Sequence, residues 1–299
     1  LMPLALCVAV TAAHAASEPL RIGSKRFTES YILAELIAQT ARPHAPVQLQ
    51  AGLGNTAIVY AALRSASIDV YPEYTGTIAQ EILKAPQATS LTELNAQLTP
   101  LGLGVAVPLG FNDGYALAMR ADTAQRLGLG KLSDLARQPT LRLGLSHEFI
   151  GRADGWPGLS ARYHLPQQPQ GLDHGLAYDA IAQGQVDVID IYTTDAKINQ
   201  LGLLVLGDDA QYFPRYDAVL LYRLDVPQRF PAAWAALQGL QGRISEPQMI
   251  AMNARAELKG VDRGLRRQRG AQQHQHGQRQ AARHLNGLGH RTAPSPGRA

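Results

Sequence analysis

From Leu20 onward, short apolar runs alternate with stretches in which apolar residues return every third or fourth position. Leu20–Gly23 and Val47–Gln50 read as strands, while Thr28–Ala41 sets Ile32, Leu33, Leu36 and Ile37 on one helical face, with Thr28 available as N-cap. A second helix is expected over Asn55–Ala66 and a strand over Ile68–Tyr71. This alternation predicts a parallel sheet covered by helices. A further set of units begins near Ala121. Leu141–Leu145 is a strand, the helix containing Tyr178 closes at Gly184, and Val186–Ile191 is the next strand. The two halves repeat one phrase, since Ala61–Tyr71 and Asp179–Ile189 each pass from helix through a turn to a strand opened by an Asp. Ala218–Arg223 echoes Ala116–Arg120. These two are expected to be the crossover strands between two lobes, the chain returning to the first lobe for helices near Pro231–Leu240 and Glu246–Leu258.

The ends depart from this pattern. Leu1–Ala15 is an apolar run closed by Ala13-His14-Ala15 and followed by polar Ser17-Glu18-Pro19, which reads as the h-region and cleavage site of a secretory signal whose basic start is missing. A mature protein cut there is exported and soluble. The single cysteine, Cys7, falls inside that segment, so the mature chain carries no disulfide and no thiol chemistry. The +4 formal charge invites a nucleic-acid partner, but residues 263–299 hold eight arginines and no acid, leaving 20 basic against 24 acidic residues elsewhere. The basicity therefore belongs to a tail with no helical or strand period, too poor in large apolar residues to fold. The abrupt change after Asp262 reads as translation in a shifted frame. A disordered native arm is the alternative, and a metal or nucleic-acid role for His274 and His276 is the least favoured reading. No nucleic-acid partner, metal or cofactor is expected.

The candidate chemistry lies in tyrosines at four places where strands give way to loops: the Tyr71–Tyr74 segment, Tyr115, Tyr192 and Tyr216. Ordinarily a tyrosine after a strand is a half-buried packing residue with its hydroxyl in water. Four rings at the mouth of a cleft make something else, a box for a cation. A quaternary ammonium has no N–H to donate and keeps its charge at every pH, so aromatic faces and shape are what hold it. In open α/β sheets ligands sit beyond the carboxyl ends of strands, where these tyrosines fall. Trp156 is a further candidate for the wall, and Asp190 and Asp195 read as ties near the hinge. An exported hydrolase is disfavoured. Ser146-His147-Glu148 are sequence neighbours that cannot converge as nucleophile, base and orienter, and no Gly-x-Ser-x-Gly elbow, His-Glu-x-x-His helix or phosphate-binding glycine loop occurs.

Gly23-Ser-Lys-Arg-Phe-Thr-Glu29, Tyr71-Pro-Glu-Tyr-Thr-Gly-Thr77, Phe111-Asn-Asp-Gly-Tyr115 and Asp190-Ile-Tyr-Thr-Thr-Asp195 resemble the substrate-binding proteins of osmoprotectant ABC importers, over about Leu20 to Lys259. The resemblance implies an α/β, bilobed periplasmic-binding-protein fold (type II), two lobes joined by two crossover strands. It implies a periplasmic receptor, a monomer, that closes on glycine betaine, choline, carnitine or a related compound and docks on a membrane permease driven by a cytoplasmic ATPase. Carried onto this sequence, the aromatic cage falls on Tyr74, Tyr115, Tyr192 and Tyr216, and Thr77 matches a position that helps hold a ligand carboxylate. Two departures are Ser30, where many relatives have glutamine, and Asp113, where they have asparagine. An ionised Asp113 would repel a betaine carboxylate while tolerating choline. Lys25 and Arg152 could reach an anionic group. The expected division is 1–15 signal peptide, 18–117 with 218–260 as one lobe, 118–217 as the other, and 263–299 as basic tail. Another small cationic or zwitterionic solute, and a damaged receptor that no longer supports transport, remain as alternatives.

Overall fold

The computed structural model describes residues 18–257, and the fold and site lie in the unit that ends at Asn253. The expected signal segment and basic tail, with Cys7, His274 and His276, fall outside the described residues. Among the described residues ten strands are formed: β1 (Leu20–Lys25), β2 (Val47–Gly54), β3 (Val70–Tyr74), β4 (Leu103–Ala106), β5 (Tyr115–Arg120), β6 (Leu143–Ser146), β7 (Gln170–Leu172), β8 (Val188–Tyr192), β9 (Leu203–Val205) and β10 (Ala218–Arg223). They make two five-stranded sheets, ordered β2-β1-β3-β10-β4 and β7-β6-β8-β5-β9. In each, a parallel trio receives an antiparallel fourth strand, β10 against β3 and β5 against β8. The echo between Ala116–Arg120 and Ala218–Arg223 is thus an equivalence of position, fourth in each sheet.

The sheets mix parallel and antiparallel pairs, where alternation alone predicts a parallel sheet. The segments that cross are not β5 and β10, each of which lies wholly in one sheet. They are the connections 107–114 and 206–217, which pair through an antiparallel bridge at Asn112 and Asp217 and a bond from the Asp113 N–H to the Tyr216 carbonyl, 3.0 Å.

The first lobe packs helix Thr28–Ala41 onto its sheet, burying Leu33 and Ile37 against Ile22, Val70 and Leu220. Each such side chain contributes about 1.5–3 kcal/mol when fully buried. The expected cap does not form. Phe27 occupies the N-cap without a side-chain bond, and Thr28 is the first helical residue. Elsewhere the caps are conventional, with Asn55 accepting from the Ile58 N–H and Ser90 and Glu93 closing a capping box on helix Leu91–Leu98. Among the described residues no helix is long and apolar enough to cross a membrane.

Candidate ligand-binding site

Strands β1, β3, β5 and β8 extend past the apolar positions that reveal them and deliver polar and aromatic residues to one place. Tyr74 ends β3 and Tyr192 ends β8, Tyr115 opens β5 as the register partner of Tyr192, and Tyr216 lies two residues before β10. Their rings form a connected enclosure. Tyr115 stands 5.2 Å from Tyr192 and 5.6 Å from Tyr216, both edge-on. Phe27, a residue the sequence pattern did not single out, closes the gap, 5.3 Å from Tyr192 and 6.5 Å from Tyr74. The space left inside is about 20 Å³, lined by Lys25, Phe27, Tyr74, Thr77, Asp113, Tyr115, Glu148, Tyr192 and Tyr216. That is room for about one water molecule, so a larger guest must part the rings.

Of the nine expected site residues, seven line this space. Ser30 does not; its hydroxyl accepts the Lys25 N–H at 2.9 Å, inside the turn that starts the helix. Arg152 borders it from behind Thr77, at 3.5 Å from that hydroxyl. Both expected cations already have carboxylate partners. Lys25 pairs with buried Glu73 at 2.6 Å, and Arg152 is held in a fork by Asp154 at 2.8 and 2.6 Å. Both instead lie on aromatic faces, Lys25 Nζ 5.0 Å from the Tyr74 centroid and Arg152 Cζ 5.1 Å from that of Tyr115. Burial works against the Arg152 charge, but Tyr115, Asp154 and Tyr216 outweigh it. Trp156 packs in the core rather than the lining.

Two hydroxyls of the box are engaged. Tyr74 donates to Glu29 at 2.7 Å and Tyr216 to Asp154 at 2.8 Å. Burial pushes the Tyr74, Tyr115 and Tyr192 phenols well above their ordinary range, against the opposing charge of Arg152 at Tyr115, so the rings stay neutral. Behind Tyr192, His174 stacks at 4.3 Å, and Asp195 accepts from His174, Tyr178 and the Tyr192 N–H. Asp190 ties Ser146, accepting its hydroxyl at 2.7 Å. That contact leaves Ser146 in a structural bond.

Asp113 corrects an expectation. Its carboxyl is 5% exposed, and burial, then Glu29 and Asp195, hold it well above the usual carboxylate range. The shift runs against the charged form on which the expected repulsion of a betaine carboxylate depends. Glu29, buried at the same spot, is also raised, chiefly by desolvation. Glu29 and Thr194 stand side by side across the cleft, yet 165 residues apart in sequence no local pattern joins them. Three further contacts hold the lobes together: the Thr56 hydroxyl to Glu148 at 3.0 Å, the Ala153 N–H to Glu81 at 3.1 Å, and the Arg152 approach to Thr77. The form described is closed. Among the described residues no three His, Cys, Asp or Glu converge as a metal site.

Two lobes closed over a box of rings, with the polar groups around it already paired, define a solute-binding protein of the type II periplasmic class. The chain belongs to the family of substrate binding domains of ABC-type glycine betaine transport systems, whose model matches residues 18–264. It is 35% identical over 276 residues to a glycine-betaine-binding protein of Pseudomonas aeruginosa, covering 85% of this chain and 88% of that one. A Helicobacter pylori ergothioneine transport permease/ergothioneine binding protein is 31% identical over 81% of this chain, which spans 45% of its length. A crystal structure described as a glycine betaine/carnitine/choline ABC transporter superposes with a TM-score of 0.66 at 26% identity, covering 86% of this chain and 98% of that one.

Proposed function

We infer that this protein is an exported, periplasmic receptor that captures a quaternary ammonium solute of the choline or glycine betaine type and delivers it, as a monomer, to an ABC permease driven by a cytoplasmic ATPase. The observation that carries the reading is the five-ring enclosure between the lobes, beside Glu148 and Asp113 and with its two nearby protein cations paired. Glycine betaine, carnitine, choline and ergothioneine, the compounds named for its relatives, share one group, the trimethylammonium head. Tyr74, Tyr115, Tyr192, Tyr216 and Phe27 receive that head, each ring contributing about 0.5–2 kcal/mol once water is excluded. Thr77 offers a hydroxyl to the far end of the ligand. Lys25 and Arg152, paired as they are, shape the walls rather than meet a carboxylate, and Ser30 supports the turn. Contacts from both lobes favour the closed form, and closure is the signal the permease reads.

Calorimetric titration of the mature chain with choline, glycine betaine, carnitine and histidine tests this. Saturable binding of a quaternary ammonium, absent for histidine and weakened at least tenfold in Tyr192→Ala, is expected; about 1.4 kcal/mol corresponds to that factor. A folded protein that binds none of the three ammonium compounds would overturn the reading.

A further inference from the structure

The Thr194 hydroxyl, at the end of the second lobe's central strand, lies 2.6 Å from Glu29 Oε2 and 2.8 Å from Asp113 Oδ1. Both are hydrogen-bond distances, yet a hydroxyl owns a single proton. It can donate to one carboxyl oxygen only. The other contact requires a proton on the facing carboxyl, because two lone pairs at that distance repel. Glu29 already receives the Tyr74 hydroxyl at 2.7 Å and the Asn253 amide at 3.0 Å, whereas Asp113 receives in addition only the Thr194 N–H at 3.2 Å. The richer donor set belongs to Glu29, so the order is an Asp113 carboxylic acid donating to Thr194, and Thr194 donating to a Glu29 carboxylate.

The groups around the pair do not supply a compensating cation. Asp195 adds negative charge from the strand end, while its own partner is His174. Tyr74 and Asn253 are neutral donors, and Lys25, on β1, is paired with Glu73. Glu29 and Asn253 belong to the first lobe, Thr194 to the second, and Asp113 to a crossing segment; the Asn253 amide also donates to the Thr194 carbonyl at 3.1 Å. Opening the cleft therefore takes the Thr194 hydroxyl away from Glu29 and admits water to both acids.

We propose that one proton, shared between Asp113 and Glu29 through the Thr194 hydroxyl, latches the two lobes, so that closing takes up a proton and rising pH weakens the closed form. The sign follows from linkage. The closed form binds the proton more tightly than the open form, in which both carboxyls return toward ordinary values. Closure is thus favoured most below the ordinary carboxyl range of the open form and falls by up to about tenfold per pH unit from there until the closed pair too loses its proton. Asp113 Oδ1 both meets the Thr194 hydroxyl and accepts the Thr194 N–H, so an amide, which carries no titratable proton, can serve only one of the two contacts at that atom. Asp113→Asn accordingly removes the switch.

The test uses small-angle scattering of the protein without ligand between pH 5.5 and 9.5, with circular dichroism to confirm folding at each point. The wild type should expand as pH rises, Asp113→Asn should keep the same dimensions at every pH, and Thr194→Val should be open throughout. A wild type whose dimensions do not change overturns the proposal, as does a transition kept unaltered in Thr194→Val, which still reports should Asp113→Asn fail to fold. The device bears on capture through the reading above, and titration with choline at pH 8 in buffers of different ionisation enthalpy separates the two. Binding with proton uptake in the wild type and none in Asp113→Asn supports both. Binding without proton uptake overturns the latch alone. A scattering transition with no ammonium binding overturns the receptor reading alone.

Discussion

Gly76 is where one atom decides the box. A Cβ built there would lie 2.5 Å from the Tyr216 ring and 2.7 Å from the Arg215 carbonyl, and the backbone cannot retreat because the Thr75 N–H is bonded to the Asp217 carbonyl. Gly76→Ala is expected to fold but to push the Tyr216 ring off its place, lowering ammonium affinity by about tenfold or more in a calorimetric titration, with overpacking costing about 1–3 kcal/mol in chemical denaturation. Single residues were also the scale at which the sequence spoke most directly about the site. Tyr74, Tyr115, Tyr192 and Tyr216 are legible because each stands beside a recognisable strand. Phe27 is not, since nothing local distinguishes a ring that lines a cleft from one that anchors a helix start. Asp113 was legible as a position and misleading as a charge, because ionisation depends on Glu29 and Asp195, which only the fold brings near.

At the scale of elements, the strands were readable in their apolar centres and misplaced at their ends. Alternation marks Leu20–Gly23 and Ile68–Tyr71, while the observed strands reach Lys25 and Tyr74. The reason is physical: periodicity reports which residues meet their own sheet's core, and the last residues of β1 and β3 are engaged by polar and aromatic partners, Lys25 with Glu73 and Tyr74 with Glu29 and Phe27. Mixed pairing was not legible, because β10 arrives in the first sheet after the chain has built the second. Asp69, just before β3, fastens the far ends of β1 and β3. It accepts the Arg21 N–H at 2.8 Å and both guanidinium contacts of Arg21, and it pairs with Arg229 at 2.8 Å. Burial alone would raise its carboxyl, but these bonds hold it below the ordinary range. A carboxylate with a depressed native value contributes stability above its unfolded value, and that stability is lost as pH falls through the native one. Asp69→Asn should therefore lower stability at pH 7 by about 3 kcal/mol. In urea unfolding the gap to wild type should narrow as pH drops below about 4; a gap independent of pH would exclude this role for the charge.

For the whole molecule, the decisive contacts are those between lobes, and they were the least legible part. Thr56 with Glu148, Glu81 with Ala153, and Glu29 with Thr194 join residues 92, 72 and 165 positions apart. A polar residue on a cleft wall looks, in sequence, like any solvated one. Thr56→Val tests the contribution of this rim: with the hydroxyl gone, Glu148 loses its partner across the opening, and ligand affinity should fall by about threefold to tenfold, for a bond worth about 0.5–1.5 kcal/mol. Unfolding midpoints of the ligand-free protein should be unchanged under conditions where the cleft is open, since the contact exists only when the lobes meet. The same walls carry the ammonium of Lys25 against Tyr74 and the guanidinium of Arg152 against Tyr115. An arriving guest thus meets rings whose electron density resident cations already draw upon, and its grip is weaker than five unencumbered rings would give. For a carrier that must surrender its cargo at a membrane, such built-in rivals set a ceiling on retention and keep the hand-off fast.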